Sequence, residues 1–454
     1  MTITLITSNP KIREVVDDGK ATELIATWKG QIEEEKKSGD GSSVLCDKIV
    51  LDGKSYTPEA AKIIAGFLTS TEDFQPSVAS GIKVAILSDI IASQMEAEAL
   101  IVLKTISDAF KESKLEEVDL SDNAMGTKGV VACETVLGGP TVIDTLQRLK
   151  LCNNGLSRYT MEEVAVLLTK GDDSSCIAKN MKQIHFFNNM SDDEGCESFE
   201  KIIARTENLE DIRFSGTRAK AKGSVFITKG LNDLAKNGKL GSVTRLDLAD
   251  NSFGDCYQDL SDALQTCTKL EYLDLHDCCL GDDGIVAVCD ALMEAKPPLS
   301  FLSLSGNDVG EDSYEGGKSI AALIKLINTT IVSFYASENE LKSPGIRSIA
   351  RAFRSETLKE IHLNQNECGT VGATEVIKMA ARVPNLEKIE FDANGFLPEV
   401  VDKLTEALGD KLVEMEDNID DEDYDEELDP EDLKDGDDAG VEDLADAFDK
   451  LSHA

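Results

Sequence analysis

Basic residues are scarce in this 454-residue chain: 46 lysines and arginines stand against 86 aspartates and glutamates, a formal charge of −40 at neutral pH. A surface of that sign repels phosphate backbones and anionic lipid, so nucleic acid and membrane are poor partners and a protein with a basic face is a good one. Histidine occurs four times, at His185, His276, His362 and His453, with no H-E-x-x-H spacing, so no metal site is expected. No apolar run reaches the roughly 18 residues of a membrane helix. The nearest, Ala321 to Ala336, is broken by Lys325 and by Asn328-Thr329-Thr330. Met1 to Thr7 lacks the basic start and small-residue cleavage site of a secretory signal, and the chain is expected to be soluble and intracellular. The eleven cysteines are odd in number, include the adjacent Cys278-Cys279 and form no C-x-x-C pair. Reduced thiols packed as small hydrophobes are expected.

What the chain does have is a repeat. The pattern L-x-x-L-x-L-x-x-N-x-Φ, with Φ apolar, recurs about every 27 to 36 residues between Ile49 and Phe396. Clear copies are Leu115-Val118-Leu120-Asn123, Leu146-Leu149-Leu151-Asn154, Val243-Leu246-Leu248-Asn251, Leu270-Leu273-Leu275-Cys278, Leu299-Leu302-Leu304-Asn307, Leu358-Ile361-Leu363-Asn366 and Leu386-Ile389-Phe391-Asn394. Weaker copies are Met181-Ile184-Phe186-Asn189, Leu209-Ile212-Phe214-Thr217 and Ile331-Phe334-Ala336-Asn339, with degenerate ones near Leu51 and Leu87. L-x-L alternates inward and outward as a short strand must. The following Asn satisfies backbone groups left open by the bend. Between strands, stretches such as Gly284 to Met293 and Gly345 to Phe353 carry apolar residues at helical spacing.

This is the signature of a leucine-rich repeat solenoid: an α/β horseshoe with short parallel strands on its concave face and helices outside. The outward positions place His185 and His362 as exposed contact residues. Residues 1–44 are read as a helical end cap, with Asn9 and Pro10 starting a helix that runs to about Lys37 and Gly39 to Ser43 as a loop. The repeats occupy 45–413, with Leu397 to Leu412 closing them. From Glu414 to Asp449 the chain carries 20 acidic residues and one basic residue, Lys434, so 414–454 is expected to be a largely disordered tail. Within it, Val441 to Leu451 has the spacing of a short amphipathic helix.

Catalytic motifs are wanting. Gly310 to Ser319 ends like a phosphate loop, but its glycines are too far apart for the cradle. Asp435 to Asp446 imitates a calcium loop with Ala439 at a ligand position and Asp446 in place of the final Glu. No cofactor is expected.

Function is therefore sought in the loops that follow the strands. Two of them, Leu120-Ser121-Asp122-Asn123-Ala124-Met125-Gly126 and Leu151-Cys152-Asn153-Asn154-Gly155-Leu156, resemble in order and spacing those of the Ran GTPase-activating proteins. Leu246 to Gly254, Leu273 to Gly281 and the acidic tail continue the resemblance, which runs from about Lys48 onward. It implies a GTPase activator that is not itself an enzyme. The implied partner is a Ran-type GTPase in its GTP form, joined by a Ran-binding-domain protein, and the implied setting is nucleocytoplasmic transport at the cytoplasmic side of the nuclear envelope. It implies that Asn153 orients the partner's own catalytic Gln without an arginine finger. Asn154 holds the repeat's turn position, which leaves Asn153 free to project. Asp89, Gln94, Asp122, Asp250 and Asp277 are the candidate partner-binding residues, and a monomer is expected. The sequence departs from the family at Ser93-Gln94, where Gly-Arg would stand, and it lacks the tryptophan-proline-proline motif of the plant members: Trp28 is its only Trp. An acidic leucine-rich inhibitor of a basic ribonuclease and a non-catalytic scaffold of immune-receptor or actin-capping type are the alternatives.

Overall fold

The computed structural model describes residues 2–7, 13–38, 45–72, 74–171, 175–310 and 317–418. They fall in two units, 1–239 and 240–454.

In the first unit, three-residue strands recur at Val84–Ile86, Glu117–Asp119, Arg148–Lys150, Gln183–His185 and Asp211–Arg213, each parallel to the next and in step, Val118 opposite Leu149 and Leu149 opposite Ile184. The middle residue of each strand is fully buried and its neighbours face outward, because the side-chain period of a strand is two. Helices such as Glu96–Ala109, Arg158–Thr169 and Asp192–Ile203 follow the strands. Ser157 caps the second of these by accepting from the Thr160 amide. Leu149, Met161, Val164 and Leu168 are buried together with the strand centres. Each such side chain contributes about 1.5–3 kcal/mol, and the burial exists only because neighbouring repeats stack.

The repeat asparagines bind one turn to the next. Asn154, fully buried, donates from Nδ2 to the Leu120 carbonyl at 2.9 Å and accepts from the Asn123 amide at 2.8 Å. Asn189 in turn accepts from the amides of Asn154 and Leu156, both at 3.1 Å.

The second unit repeats the plan with parallel strands Arg245–Asp247, Tyr272–Asp274, Phe301–Ser303, Ser333–Tyr335, Glu360–His362 and Lys388–Glu390. The helix Pro398–Leu408 follows the last of them, and Leu412 bridges to Ile389. All eleven cysteines are free thiols, nine of them buried.

The amino-terminal segment is more than a helical cap. Thr2–Ile6 is a strand parallel to Leu45–Val50, and Glu14–Val16 pairs with Lys54–Tyr56. The helix Asp18–Ser38 buries Trp28, whose indole N–H donates to the Ile6 carbonyl at 3.1 Å. The helix ends at Ser38, beside the expected Lys37, but begins at Asp18, because Glu14–Val16 is drawn into strand pairing; Asn9, Pro10 and the stretch Gly39 to Ser43 lie outside the described residues. At the other end, the first residues of the acidic segment are fixed to the last repeat. Asp392 accepts from the backbone amides of Glu416 and Asp417 and from Asn418 Nδ2. Val441 to Leu451 and Asp435 to Asp446 lie outside the described residues.

Candidate functional site

One backbone feature governs the loops after the strands. The residue just before the turn position, which is Asn in most repeats but Ile90 and Cys278 in two of them, is left-handed in repeat after repeat. In the first unit φ is 53° at Asp89, 63° at Asp122, 51° at Asn153 and 52° at Asn188; in the second it is 55° at Asp250 and 50° at Asp277. Asn and Asp tolerate this region because their short polar side chains bond locally. The backbone alone therefore favours the residue types at five of the candidate positions, and function has to be argued from what each side chain touches.

In the first unit these side chains form a polar row. Asn153 is exposed; its Nδ2 donates to Asp122 Oδ1 at 2.8 Å, and its Oδ1 accepts from Asn188 Nδ2 at 3.1 Å. Its backbone N–H goes to the Phe187 carbonyl at 2.8 Å. The amide is thus held from both sides by side chains, with one N–H and one lone pair remaining. At the end of the row Arg13 Nε and Nη2 donate to Asp89 Oδ2 at 3.2 and 2.5 Å, and the Coulomb field of Asp89 and Asp122 raises the already high pKa of the guanidinium, the Asp89 hydrogen bond leading. Met95, Tyr159 and Met190, in the same unit, are exposed apolar side chains, at 75%, 62% and 43%.

Gln94 points elsewhere. Its Nε2 donates to the Tyr56 carbonyl and lies 3.4 Å from Ser55 Oγ, so its donor is spent within the chain. Ser93, which stands where the family pattern has Gly, is left-handed at φ 60°. The Gly-like conformation is kept while the Arg is not.

In the second unit Asp250, His276 and Asp277 converge. Their ligand-type atoms lie within 4.8 Å of one another, and His276 Nε2 is 3.0 Å from Asp277 Oδ2. Burial, then the neighbouring carboxylates, push the Asp250 pKa upward against the pull of His276. No spacing rule applied to the sequence brought these three together, since they come from adjacent repeats.

His185 and His362 are not free contact residues. His185 Nε2 is 2.7 Å from Asp211 Oδ1, and His362 is buried with Nδ1 2.9 Å from Glu390. His362 closes on its counterpart on the next strand, Glu390, and His185 on Asp211, which lies diagonally across the next strand. In the glycine-rich stretch, Gly310 N–H and Ser319 Oγ both donate to Asp282, an anion where a phosphate would have to sit. Residues 311–316 lie outside the described residues.

Sequence reasoning passed over Asn188 and Arg13. The doublet Asn188-Asn189 repeats Asn153-Asn154 and was a readable signal; Arg13 carried none, because its partner is 76 positions away.

Among known proteins, a leucine-rich repeat family model matches residues 112–132 and 266–289. Over 139 residues, 29% of this chain and 25% of the relative, the chain is 34% identical to RAN GTPase-activating protein 1 of Arabidopsis thaliana. It is 29% identical over 157 residues, 34% of this chain and 15% of the relative, to the mouse (Mus musculus) NACHT, LRR and PYD domains-containing protein 9C. With the ribonuclease inhibitor of Sus scrofa it shares 24% over 270 residues, 58% of this chain and 54% of the relative. The matches to the first two span a quarter or less of those proteins. Each unit of this chain is a leucine-rich repeat solenoid, and the chain is similar, over part of its length, to a Ran GTPase-activating protein.

Proposed function

We propose that this chain stimulates GTP hydrolysis by a Ran-type small GTPase in its GTP-bound form, acting in trans on a partner that carries the reacting groups. The observation behind the reading is the Asn153 amide, exposed and clamped between Asp122 and Asn188. Its remaining N–H and lone pair match the two ends of a glutamine amide, and it brings no charge to the nucleotide. Holding the partner's glutamine in the pose that orients water is positional catalysis. GTPase activation that uses an arginine reaches about 10³ to 10⁵ in rate, so a comparable effect without one demands strong pre-ordering. Clamping on both sides supplies it. Arg13 is engaged by Asp89, in keeping with a mechanism that uses no finger.

Asp89 and Asp122 give the row a negative field that speeds encounter with a basic surface, while Met95, Tyr159 and Met190 supply apolar contact. Asp250 and Asp277 form a second acidic point of contact on their own unit. The protein works as a monomer in the cytoplasm beside the nuclear envelope, where hydrolysis releases transport cargo, and its acidic tail meets a basic partner or a Ran-binding-domain protein. The similarity to the plant activator supports this reading. Inhibition of a basic ribonuclease is the second reading, favoured by the longer stretch of similarity to the pig inhibitor. Two assays separate them: multiple-turnover hydrolysis by Ran·GTP with catalytic amounts of this chain, and titration of pancreatic-type ribonuclease activity. Catalytic stimulation of Ran with no loss of ribonuclease activity supports the activator; no stimulation rejects it. Inertness in both assays leaves the scaffold.

A further inference from the structure

The row that holds Asn153 changes sign along its length. Asp89 and Asp122 stand before Asn153. Past Asn188, the loop between the strand Asp211–Arg213 and the helix Ala221–Lys236 leads into Arg218, Lys220 and Lys222, all three exposed. The two loops touch: the backbone amides of Asn188, Asn189 and Asp192 donate to the carbonyls of Ser215, Gly216 and Thr217 at 2.9, 3.1 and 3.1 Å. Arg218 takes the place just after the turn residue, which Gly155 and Met190 hold in the two preceding repeats.

Charge of this sign is out of character for the chain. From Ile212 to Asn232 there are five basic residues and no acidic one, in a sequence with 86 acids against 46 bases. Other cations of this unit are met by acids, Lys83 by Glu116 at 2.7 Å, Lys128 by Glu96 at 2.6 Å and Lys229 by Glu200 at 2.5 Å. Among the described residues, the side chains of Arg218, Lys220 and Lys222 make no hydrogen bond or ion pair. The acids that approach from the preceding helix are engaged elsewhere. Asp193 Oδ1 accepts from the backbone amides of Lys220 and Gly223 at 2.9 and 3.0 Å, and Glu194 lies 3.8 Å from Arg158.

We propose that Arg218, Lys220 and Lys222 are the docking point for a carboxylate-bearing face of the same GTPase that Asn153 engages, an inference that rests on the activator reading above. Neighbouring strands lie about 4.8 Å apart, so the basic loop stands about 10 Å along the row from Asn153. An interface of about 800 Å² on each side has a radius of about 16 Å, so a partner centred on Asn153 covers the loop. Carboxylates at one end and cations at the other admit a partner of complementary polarity in one orientation and oppose the reverse one. The cations thus act on binding, and Asn153 on the rate.

The test follows Ran·GTP hydrolysis against activator concentration, parent chain beside the triple variant Arg218→Asn, Lys220→Gln, Lys222→Gln. Asn accepts the left-handed backbone at position 218, where φ is 61°. The concentration for half-stimulation is expected to rise about tenfold at an unchanged maximal rate, three exposed pairs each adding a modest share. Salt that shortens the screening length from about 30 to about 10 Å should narrow the gap. Lys62→Gln, Lys104→Gln and Lys201→Gln together remove the same charge from outer helices of this unit and should leave half-stimulation near that of the parent. No stimulation by the parent rejects the activator reading and this docking point with it. Where the parent does stimulate, equal half-points for parent and triple variant, an equal shift in the outer-helix variant, or a gap indifferent to salt overturns the docking point alone. A fall in maximal rate would put the cations at the reacting phosphates and overturn it as well. Should the triple variant not fold, Lys220→Gln alone, expected to raise the half-point about twofold, decides.

Discussion

Asn153 and Asn154 are adjacent in the chain and opposite in environment: Asn154 is fully buried and spends its amide on the backbone of the preceding repeat, while Asn153 is exposed and bonds only to the side chains of Asp122 and Asn188 through its own. One amide holds the fold together. The other is presented to the outside.

Stability should separate the pair. Asn154→Ala strands the Asn123 N–H and removes a donor from the Leu120 carbonyl in the interior, at a cost of about 2 kcal/mol or more. Asn153→Gly should cost little, because glycine enters the left-handed region at least as readily as Asn. Urea denaturation of both variants checks this, and equal losses would refute the division of labour.

Asp122 should act through Asn153. Asp122→Ala frees one side of the amide, and losing an orienting bond of about 1.4 kcal/mol slows stimulated hydrolysis about tenfold. The loss should fall mainly on the maximal rate at saturating activator. A change confined to the concentration needed for half-stimulation would make Asp122 a binding residue instead.

How much of this was legible follows from the range of the interactions. Strands centred on Val118, Leu149 or Leu273 are set by local alternation and were readable, as was the buried fate of Asn154, since the repeat defines its position. The strand Thr2–Ile6 was not, because a single copy without the repeat's Asn offers no period to detect. Exposure of Asn153 followed from its offset of one residue; its clamping did not, because Asp122 and Asn188 come from repeats on either side. The inward turn of Gln94 depends on Ser55 and Tyr56, and the Arg13–Asp89 pair on the amino-terminal segment, contacts that no spacing encodes.

The pH dependence of stability has a marker in His362. Burial lowers its pKa below the ordinary value and the Glu390 carboxylate 2.9 Å away opposes this only in part. The unfolded chain takes up this proton near pH ~6.5 and the folded chain only at lower pH. The contribution is therefore fully present above that value, is lost as pH falls below it, and levels off once the folded ring is protonated. His362→Phe keeps the stacking on Tyr335 and removes the titration. Urea midpoints measured from about pH 7 to pH 5 should fall less steeply in His362→Phe than in the parent; parallel slopes would contradict the assignment.

The most direct test of the central claim is single-turnover GTP hydrolysis by Ran at saturating activator, parent chain against Asn153→Gly. The account predicts an unchanged thermal midpoint and retained binding of Ran·GTP, with the stimulated rate falling by about 10² or more, toward that of Ran alone. An Asn153→Gly chain that binds Ran·GTP and stimulates it as the parent does would show that the amide orients nothing.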